Sequence, residues 1–404
     1  MSFEPLGGMR VLDLTSVVVG PVCTARLAQY GAEVVKLESP EGDLMRGLGG
    51  QSPTGQHSGT YLHLNRGKRN ICCDLKKEGA REILDRVVES ADIIVANMRP
   101  DALRRLGLDH ETILAAHPDK IYCLITGYGL GGPYAGFPTY DSVIQAASGI
   151  PGLMAVRDGE PNYVPMVIGD HVVGEIAAGA ILAGVVKKSR SGEGTFIEVP
   201  MFETMAAFVL QEHLAQHSFV PPVGPAGDQR LLSPHNRPVK TSDGWIAFTV
   251  NTDKQVAAFL DASGKSELKV DLRFTSVAAR AQNVREWFEI RGAPLTSQTT
   301  AEWLEVFRAA DIAAMPCHTI ESLRNDEHLT AVEMFASEEH PSEGETIVLR
   351  PSVKFGGEAM SALGFSQPKG WENAEILSEL GFAAEEIERL TANGTLVLGK
   401  GANR

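Results

Sequence analysis

One carboxylate stands at the start of the apolar segment PMVIGDHVVGEIAAGAILAGVVKK, residues 165–188. It belongs to Asp170, which follows Gly169 and opens a run of small residues of helical composition. Aspartate is a favoured N-cap, because its side chain accepts a backbone N–H of the first helical turn. A carboxylate in a pocket is also a nucleophile toward an acyl-thioester carbonyl, and such an attack divides one transfer into easier steps. Local sequence alone leaves both interpretations open.

The glycine-rich segment GYGLGGPYAGFPTYD, residues 127–141, follows a predicted strand, where ligand loops of open α/β sheets lie. It is either such a loop or a mobile turn. A GxGxxG pattern can be matched to Gly127, Gly129 and Gly132, but no predicted helix begins there. The nicotinamide-binding fingerprint is therefore not supported.

Two basic clusters, NRGKRNI (65–71) and MRPDALRRLG (98–107), interrupt an acidic sequence. Each is either a solvated face or, being next to a predicted strand end, a receptor for phosphate. The 404-residue chain has 37 Lys and Arg against 51 Asp and Glu, a net charge of −14. This acidity argues against nucleic-acid binding and against docking on anionic membranes.

The five cysteines form no CxxC pair or Cys/His cluster, so neither a disulfide framework nor a zinc or other metal site is expected. Adjacent Cys72 and Cys73 are interpreted as small core residues of a reduced, cytoplasmic protein. The N-terminus has no signal-peptide pattern, and AAGAILAGVV has only about half the roughly 20 residues of a membrane span. We expect no membrane association.

The elements that position these residues alternate as strand and helix from residue 9 onward, which predicts an α/β fold with a mostly parallel sheet. We predict a large domain from residues 1–215 and 330–404 and a smaller α+β domain at 225–325. Linkers are expected around 216–238, which is rich in proline, and around 320–330.

The ordered segments GPVCTARLAQYGAEVVKLESPEGDLMR, LNRGKRNICCDLK, VANMRPDALRRLGL, TGYGLGGPYAGFPTYD, VIGDHVVGE and SGEGTFIEVPMFE resemble the class III CoA-transferases. That family includes formyl-CoA and carnitine CoA-transferases and the 2-methylacyl-CoA racemases. The resemblance covers nearly the whole chain and is weakest at about 215–330. It implies a Rossmann-like large domain made from both chain ends, a small inserted domain and an interlocked homodimer.

The resemblance implies that Asp170 is the catalytic nucleophile, and we expect a carboxylate at a helix start to stay ionised. Coenzyme A is implied as a substrate and product, with no permanently bound cofactor. The implied CoA contacts are Ser39, Cys73, Asn97, Met98, Arg105 and Leu106, with Arg105 as the partner for phosphate. The implied substrate pocket contains Val18, Arg46, Leu48 and Tyr140.

Three positions depart from subgroups of the family. Tyr140 stands where the racemases carry histidine, so one half of their acid–base pair is missing. Val18 and Leu48 stand where formyl-CoA transferases carry glutamine and tryptophan, which argues against oxalate as substrate. We predict a CoA-transferase with a succinyl-CoA or acetyl-CoA type donor and a small organic acid acceptor. The reaction would pass through an aspartyl anhydride and an aspartyl–CoA thioester.

Three alternatives stay open at this point. They are a 2-methylacyl-CoA racemase or epimerase of the same fold, a non-catalytic CoA-binding protein and, more distantly, a nicotinamide dehydrogenase.

Overall fold

A computed structural model describes residues 4–360 and 363–399. Its central feature is a six-stranded parallel sheet with the strand order β3-β2-β1-β4-β5-β6. This is the order of doubly wound dinucleotide-binding folds, so the predicted parallel α/β sheet is confirmed. The strands are β1 (Arg10–Leu14), β2 (Glu33–Glu38), β3 (Lys68–Cys72), β4 (Ile93–Ala96), β5 (Ile121–Thr126) and β6 (Thr195–Pro200).

The strand order reverses between β1 and β4. Val11 of β1 pairs with Val34 of β2 on one side and with Ile93 of β4 on the other. Crossover connections leave a sheet in opposite directions at such a point, which opens a crevice beyond the carboxyl ends of the strands. Every residue of β4 and β5 is buried, as expected for central strands covered by helices on both faces.

Helices follow the strands of the sheet as the sequence predicted. In α3 the apolar residues Ile83, Leu84, Val87 and Val88 recur at helical spacing and are buried against the sheet. The helices up to residue 213 are α1 (Val19–Gln29), α2 (Gly59–Leu64), α3 (Ala80–Ser90), α4 (Pro100–Leu106), α5 (His110–Ala116), α6 (Asp141–Ala147), α7 (Ile150–Asp158), α8 (Ile168–Ser191) and α9 (Met201–His213).

The chain divides into two compact units. The larger contains residues 1–148, 164–207 and 330–404, and the smaller contains 149–163 and 208–329. Helix α7 thus groups with the smaller unit, although the sequence analysis assigned it to the large domain. The predicted ranges of the two domains and of the linkers between them stay a prediction.

The smaller unit has its own core of Phe248, Phe259, Trp303, Phe307 and other apolar residues. Three of its described helices, α10, α13 and α14, begin with capping boxes. In each, the side chain of the N-cap threonine accepts the backbone N–H of the third helical residue, whose side chain accepts the backbone N–H of the threonine. The elements from 239 to 331 are β7 (Val239–Lys240), β8 (Trp245–Thr249), α10 (Asp253–Ala262), α11 (Val277–Gln282), α12 (Val284–Arg291), α13 (Thr300–Ala309), β9 (Ala313–Pro316), α14 (Ile320–Leu323) and α15 (Glu327–Ala331).

The C-terminal segment covers the exposed edge of β3. Asn70 donates its backbone N–H to Glu372 and its carbonyl accepts from the N–H of the same residue, while Cys72 donates its N–H to Asn373. An edge strand with unpaired backbone groups is a template for aggregation, and this segment satisfies those groups. The elements after residue 331 are β10 (Phe335–His340), β11 (Gly344–Leu349), β12 (Lys354–Phe355), β13 (Glu358–Ala359), α16 (Asn373–Glu379) and α17 (Ala384–Ala392).

Helix α8 is 24 residues long. By length and composition it could cross a membrane, so the expectation that no segment is long and apolar enough was wrong. The same composition is typical of the core helix of a soluble protein. The small residues Gly174, Ala177, Ala178 and Gly184 are buried along this helix, which packs closely on α1.

Candidate active site

A cavity of about 240 Å³ opens at the carboxyl ends of β1, β4 and β5, where the strand order reverses. Open α/β sheets bind ligands in this crevice. Its walls are residues 16–19 after β1, residues 97–100 after β4, residues 125–128 at the end of β5, the loop residues Leu130 and Gly136–Tyr140, and the separate residues Asp170 and Met201.

Asp170 lies in the first turn of α8, but it does not cap the helix. The helix begins at Ile168 and its N-cap residue is Val167, whose side chain makes no capping hydrogen bond. The capping interpretation of Asp170 is therefore wrong. Only 8% of the residue is exposed, and its carboxylate accepts no hydrogen bond from the part of the chain that the structure describes.

A second carboxylate satisfies the backbone at this helix start. Oδ1 of Asp141 accepts the N–H of Gly169 at 2.7 Å and the N–H of Asp170 at 3.1 Å. Its Oδ2 accepts from the side-chain amide of Gln145 at 2.6 Å. Asp141 thus performs the capping that local sequence suggested for Asp170, because the first N–H groups of a helix have no acceptor within it.

Burial and, after it, the negative charge of Asp141 raise the pKa of Asp170 to about 7. Both effects oppose ionisation of a carboxyl group. The expectation that a helix start keeps Asp170 ionised was therefore wrong, since the nearby like charge and the lost hydration dominate. At neutral pH the group is divided between the acid and the carboxylate, and only the carboxylate form can act as a nucleophile.

The wall after β1 is fastened to the wall after β4. Oδ1 of Asn97 accepts the N–H of Ser16 at 3.0 Å, and its Nδ2 donates to the carbonyl of Ser16 at 2.9 Å. The two walls border the strand-order reversal, so one amide side chain holds the crevice open at a fixed width. This use of Asn97 was not visible in the sequence, because its partner lies 81 residues away.

Strands β1, β2 and β3 carry buried charges of both signs. Asp13 accepts from the hydroxyls of Thr15 and Thr24 and from the Lys68 ammonium, the last at 3.2 Å. Burial opposes ionisation, but Lys68 and Lys36 outweigh it and lower the pKa of Asp13 to about 2. These side chains are at most 1% exposed, so the ion pairs are shielded from water.

Five of the residues predicted for the site lie around this cavity: Val18, Asn97, Met98, Tyr140 and Asp170. The other six, Ser39, Arg46, Leu48, Cys73, Arg105 and Leu106, do not line it. The roles predicted for all eleven stay predictions, but the structure separates those that could share a ligand from those that have other partners.

Arg46 is already neutralised. Its guanidinium forms two hydrogen bonds with Glu38 at 2.9 and 2.7 Å, one with the Tyr61 hydroxyl at 2.6 Å, and stacks 4.0 Å from the Tyr61 ring centre. A buried bidentate pair leaves no charge for an acid substrate. Its role as a pocket cation stays a prediction, and the pairing with Glu38 argues against it.

Cys73 is fully buried in the core between sheet and helices, and burial raises the pKa of its thiol to about 12. Its side chain is therefore unavailable to CoA, as its interpretation as a core residue implied. Ser39 directly follows β2 and is exposed, and Leu48 is exposed by 45%. Both face solvent outside the cavity walls.

Arg105 lies on the last turn of α4, exposed, where its Nε donates to the carbonyl of Asp101 at 3.3 Å. Leu106 is half-buried against the core. The cation that does line the cavity is Arg99, at the N-cap of the same helix. Arg99 is exposed and forms no ion pair with any residue that the structure describes.

Comparison with known proteins identifies the family. The profile of CoA-transferase family III matches residues 6–373. The chain belongs to CoA-transferase family III. A succinyl-CoA:glutarate CoA-transferase of Mus musculus is 30% identical, over 98% of this chain and 91% of the relative. A succinate–glutarate CoA-transferase of Agrobacterium fabrum is 31% identical, over 95% of this chain and 97% of the relative.

Solved structures agree with the fold. Rv3272 of Mycobacterium tuberculosis superposes with a TM-score of 0.78 at 26% identity, covering 93% of this chain and 99% of the other. A CAIB/BAIF family protein of Brucella suis gives 0.78 at 27% identity, covering 94% and 100%. The resemblance read from the ordered motifs is therefore confirmed, and the chain is a class III CoA-transferase enzyme.

The glycine-rich loop of this CoA-transferase is anchored, so the mobile-turn interpretation is corrected. Gly129 donates its N–H to Glu203 at 2.8 Å, and Leu130 donates its N–H to Glu198 at 2.6 Å. The next helix begins only at Asp141, which is inconsistent with the nicotinamide fingerprint. The loop instead supplies one wall of the cavity.

Sequence reasoning did not single out three residues that lie at or beside the cavity of this CoA-transferase. Asp141 entered the sequence analysis only as the last residue of the glycine-rich segment, and Arg99 only as a member of a basic cluster. Thr126 ends β5 and lines the cavity, with a buried hydroxyl that has no partner among the described residues. A polar residue directly after a buried strand was the available signal. Within the described residues no group of three potential metal ligands lies together.

Proposed function

We propose that this enzyme moves CoA from an acyl-CoA donor to a small free carboxylic acid, with Asp170 as the nucleophile. The observation that carries the proposal is a buried carboxyl with a pKa of about 7 in the crevice at the strand-order reversal. A pure binding protein has no need of such a group, because an unpaired buried carboxyl lowers stability. Family membership supports the same chemistry.

In each step of the reaction that we propose, a nucleophile adds to a carbonyl carbon and a leaving group departs. The Asp170 carboxylate attacks the donor thioester, and CoA thiolate leaves as an aspartyl–acyl anhydride forms. The thiolate then attacks the aspartyl carbonyl, so the first acid departs and an aspartyl–CoA thioester remains. The acceptor carboxylate attacks that thioester and expels the thiolate. The thiolate finally attacks the acyl carbonyl of the new anhydride, which releases the product thioester and the Asp170 carboxylate.

Arg99 is proposed to bind a phosphate of CoA. It is a cation on the cavity wall, next to the predicted CoA contacts Asn97 and Met98, and no described carboxylate pairs with it. Guanidinium groups match phosphate geometry with two parallel hydrogen bonds. Arg105 remains a second candidate at the other end of α4.

The proposed substrates are succinyl-CoA as donor and a small dicarboxylic acid as acceptor. The support is that the relatives from Mus musculus and Agrobacterium fabrum are named for succinyl-CoA or succinate and for glutarate. A racemase is disfavoured, because Tyr140 stands on the cavity wall and no histidine occurs among the described residues that line it. A phenol is a far weaker base than an imidazole.

The proposed acceptor and the covalent course can be tested together. Purified enzyme is incubated with succinyl-CoA and each acid of a panel, and the thioester products are identified by mass. The acceptor that reacts is then supplied with both carboxylate oxygens as ¹⁸O. Because the acceptor oxygen bridges the second anhydride, one label should remain on Asp170, detectable in its peptide. Transfer without label in Asp170 would exclude the anhydride course.

We further propose a homodimer in the cytoplasm. Several large apolar side chains are exposed, among them Val220 at 98%, Phe219 at 58% and Val186 of α8 at 49%. Exposed apolar patches are typical of association sites, and the resemblance implies interlocked chains. Sedimentation at nanomolar concentration should give a dimer. A folded monomer there would refute the interlocked assembly, since linked chains separate only with partial unfolding.

A further inference from the structure

One residue of the cavity wall has an unfavourable backbone conformation. Val17 has φ = 68°, in the left-handed region. A β-branched residue is a genuine outlier there, because its Cβ is crowded by the following carbonyl. Strained residues persist only where their surroundings hold them, and they concentrate at functional sites. Val17 lies in the segment Ser16–Val19, which lines the cavity together with Asp170.

A buried carboxylate holds Val17 in this conformation. Oδ1 of Asp43 accepts the Val17 N–H at 3.0 Å and the Met45 N–H at 2.9 Å. The side chain of Asp43 is 0% exposed, and its Oδ2 lies 2.9 Å from the ammonium of Lys36. Lys36 also donates to the carbonyl of Thr15 at 2.8 Å, so one ion pair fastens both ends of the turn.

The same segment rests directly on the helix that carries Asp170. A Cβ placed on Gly174 of α8 would lie 2.6 Å from the carbonyl oxygen of Val19. Real Cβ atoms do not approach an oxygen so closely, so only glycine permits this contact. Gly174 lies one helical turn after Asp170. Two contacts therefore fix the position of the Ser16–Val19 segment relative to Asp170: that of Asp43 with Val17 and that of Gly174 with Val19.

We propose that Asp43, charge-balanced by Lys36, is a positioning residue that holds Val17 in its left-handed conformation and thereby fixes the Ser16–Val19 backbone relative to Asp170. The proposal rests on the proposed transferase function, and it adds a residue that touches neither substrate nor nucleophile. A displacement of about 1 Å in such a wall is enough to cost about a hundredfold in rate. Binding of the distant parts of CoA does not depend on it.

The test is a cycle of Asp43→Asn and Val17→Gly. An amide cannot accept from Val17 and face Lys36 favourably at once, because one of its two ends is a donor. We expect Asp43→Asn to lower kcat about 10- to 100-fold, with the KM for acyl-CoA changed less than about threefold. Glycine adopts φ > 0 without strain, so in the Val17→Gly background Asp43→Asn should cost less than about threefold.

Glu372→Gln is the matched control. Glu372 is also a buried carboxylate that accepts a backbone N–H, from Asn70 at 2.8 Å, but it does not contact the Ser16–Val19 segment. Burial raises the pKa of Glu372 to about 7, so its replacement by Gln should change the thermal midpoint little at pH 7 and should leave kcat within about threefold of wild type. A role of Asp43 in stability alone would give the two variants the same kinetics.

Two results would overturn the proposal: a kcat for Asp43→Asn within about threefold of wild type, or an equal loss in both backgrounds. If Asp43→Asn does not fold, Gly174→Ala decides, since the added methyl displaces Val19 without touching the ion pair. It should lower kcat with little change in KM, and unchanged turnover would again refute positioning. Wild-type enzyme that transfers CoA to no acid would instead refute the proposed function.

Discussion

Two pairs of buried carboxylates lie in opposite electrostatic surroundings, and of these four residues only Asp170 lines the cavity. Asp13 and Asp43 lie among the ammonium groups of Lys36 and Lys68, and the pKa of Asp13 is lowered to about 2. Asp141 and Asp170 face each other without a described cation, and the pKa of Asp170 is raised to about 7. Both carboxyl groups are buried, yet their pKa values lie about five units apart. At Asp13 the ammonium groups and the hydroxyl donors outweigh burial, whereas at Asp170 burial and a like charge act in the same direction.

The two surroundings make opposite contributions to stability. Ionised Asp13 stabilises the fold above pH 3.8 by about 2.5 kcal/mol, and this contribution is lost as the pH falls toward 2. Asp170 does the reverse, because its neutral form is favoured in the fold. Its contribution, about 4 kcal/mol at most, is present below pH 3.8 and is lost as the pH rises through 7. Near neutral pH, ionised Asp170 therefore lowers the stability of the fold, whereas ionised Asp13 raises it. Such a loss of stability is the usual cost of an active group.

Removing the nucleophile should have the largest effect. We expect Asp170→Asn to lower turnover at least about 10³-fold while CoA affinity, measured by calorimetry, stays near wild type. At pH 8 the variant should also be more stable to urea than wild type, and this gain should vanish at pH 4. A variant that keeps a tenth of wild-type turnover would show that Asp170 is not the nucleophile.

Removing a paired carboxylate should act on stability in the opposite direction. Asp13→Asn leaves the buried Lys68 ammonium without its counterion, so the free energy of unfolding should fall by about 3–5 kcal/mol. Urea unfolding of Asp13→Asn and Asp170→Asn, measured side by side at pH 7, gives the sign of both stability changes in one experiment. Equal effects of the two substitutions would mean that the neighbouring charges do not decide the energetics of these carboxylates.

The two arginines of α4 give a smaller and more local contrast. Arg99→Gln should raise the KM for acyl-CoA about 10- to 100-fold with little change in kcat, because a charge-assisted hydrogen bond contributes about 1.5–3 kcal/mol. Arg105→Gln is the control at the opposite end of the helix. If Arg105→Gln alone weakens acyl-CoA binding, Arg105 contacts the phosphate, as the family resemblance implies. The position of Arg99 on the cavity wall would then not indicate a phosphate contact.

The smallest effect should be a displaced pH profile. The value of kcat/KM should rise with pH through about 7 as Asp170 ionises. Asp141→Asn keeps an acceptor for the helix N–H groups but removes the like charge, so this limb should move down by about one pH unit. If the rising limb of the Asp141→Asn profile stays at the wild-type pH, burial alone raises the pKa of Asp170.

The sequence predicted what depends on local pattern. Alternating strands and helices were enough for the parallel sheet, and ordered motifs were enough for the family. Asn97 and Met98 reach the cavity because residues directly after parallel strands meet at one edge. These are properties of single segments, and they do not require knowledge of distant partners.

The sequence did not reveal side-chain partners that are distant along the chain or concealed in the fold. Arg46 looked like a pocket cation because nothing in its own segment reveals that Glu38 and Tyr61 bind it. Asp170 looked like a cap because the true cap, Asp141, lies 29 residues earlier and reaches across from another helix. The clamp on Val17 was invisible for the same reason, since a φ angle leaves no trace in composition.

The cover on strand β3 has a consequence for synthesis. The side-chain oxygen of Asn70 accepts the N–H of Gly370, 300 residues later, so this sheet edge cannot close until the C-terminal segment has been made. At about 5–20 residues per second, a ribosome leaves the edge open for roughly 15–60 s. During that interval the nascent chain presents a bare strand to its neighbours on the same messenger, and a chaperone that covers such edges would raise the yield of folded enzyme.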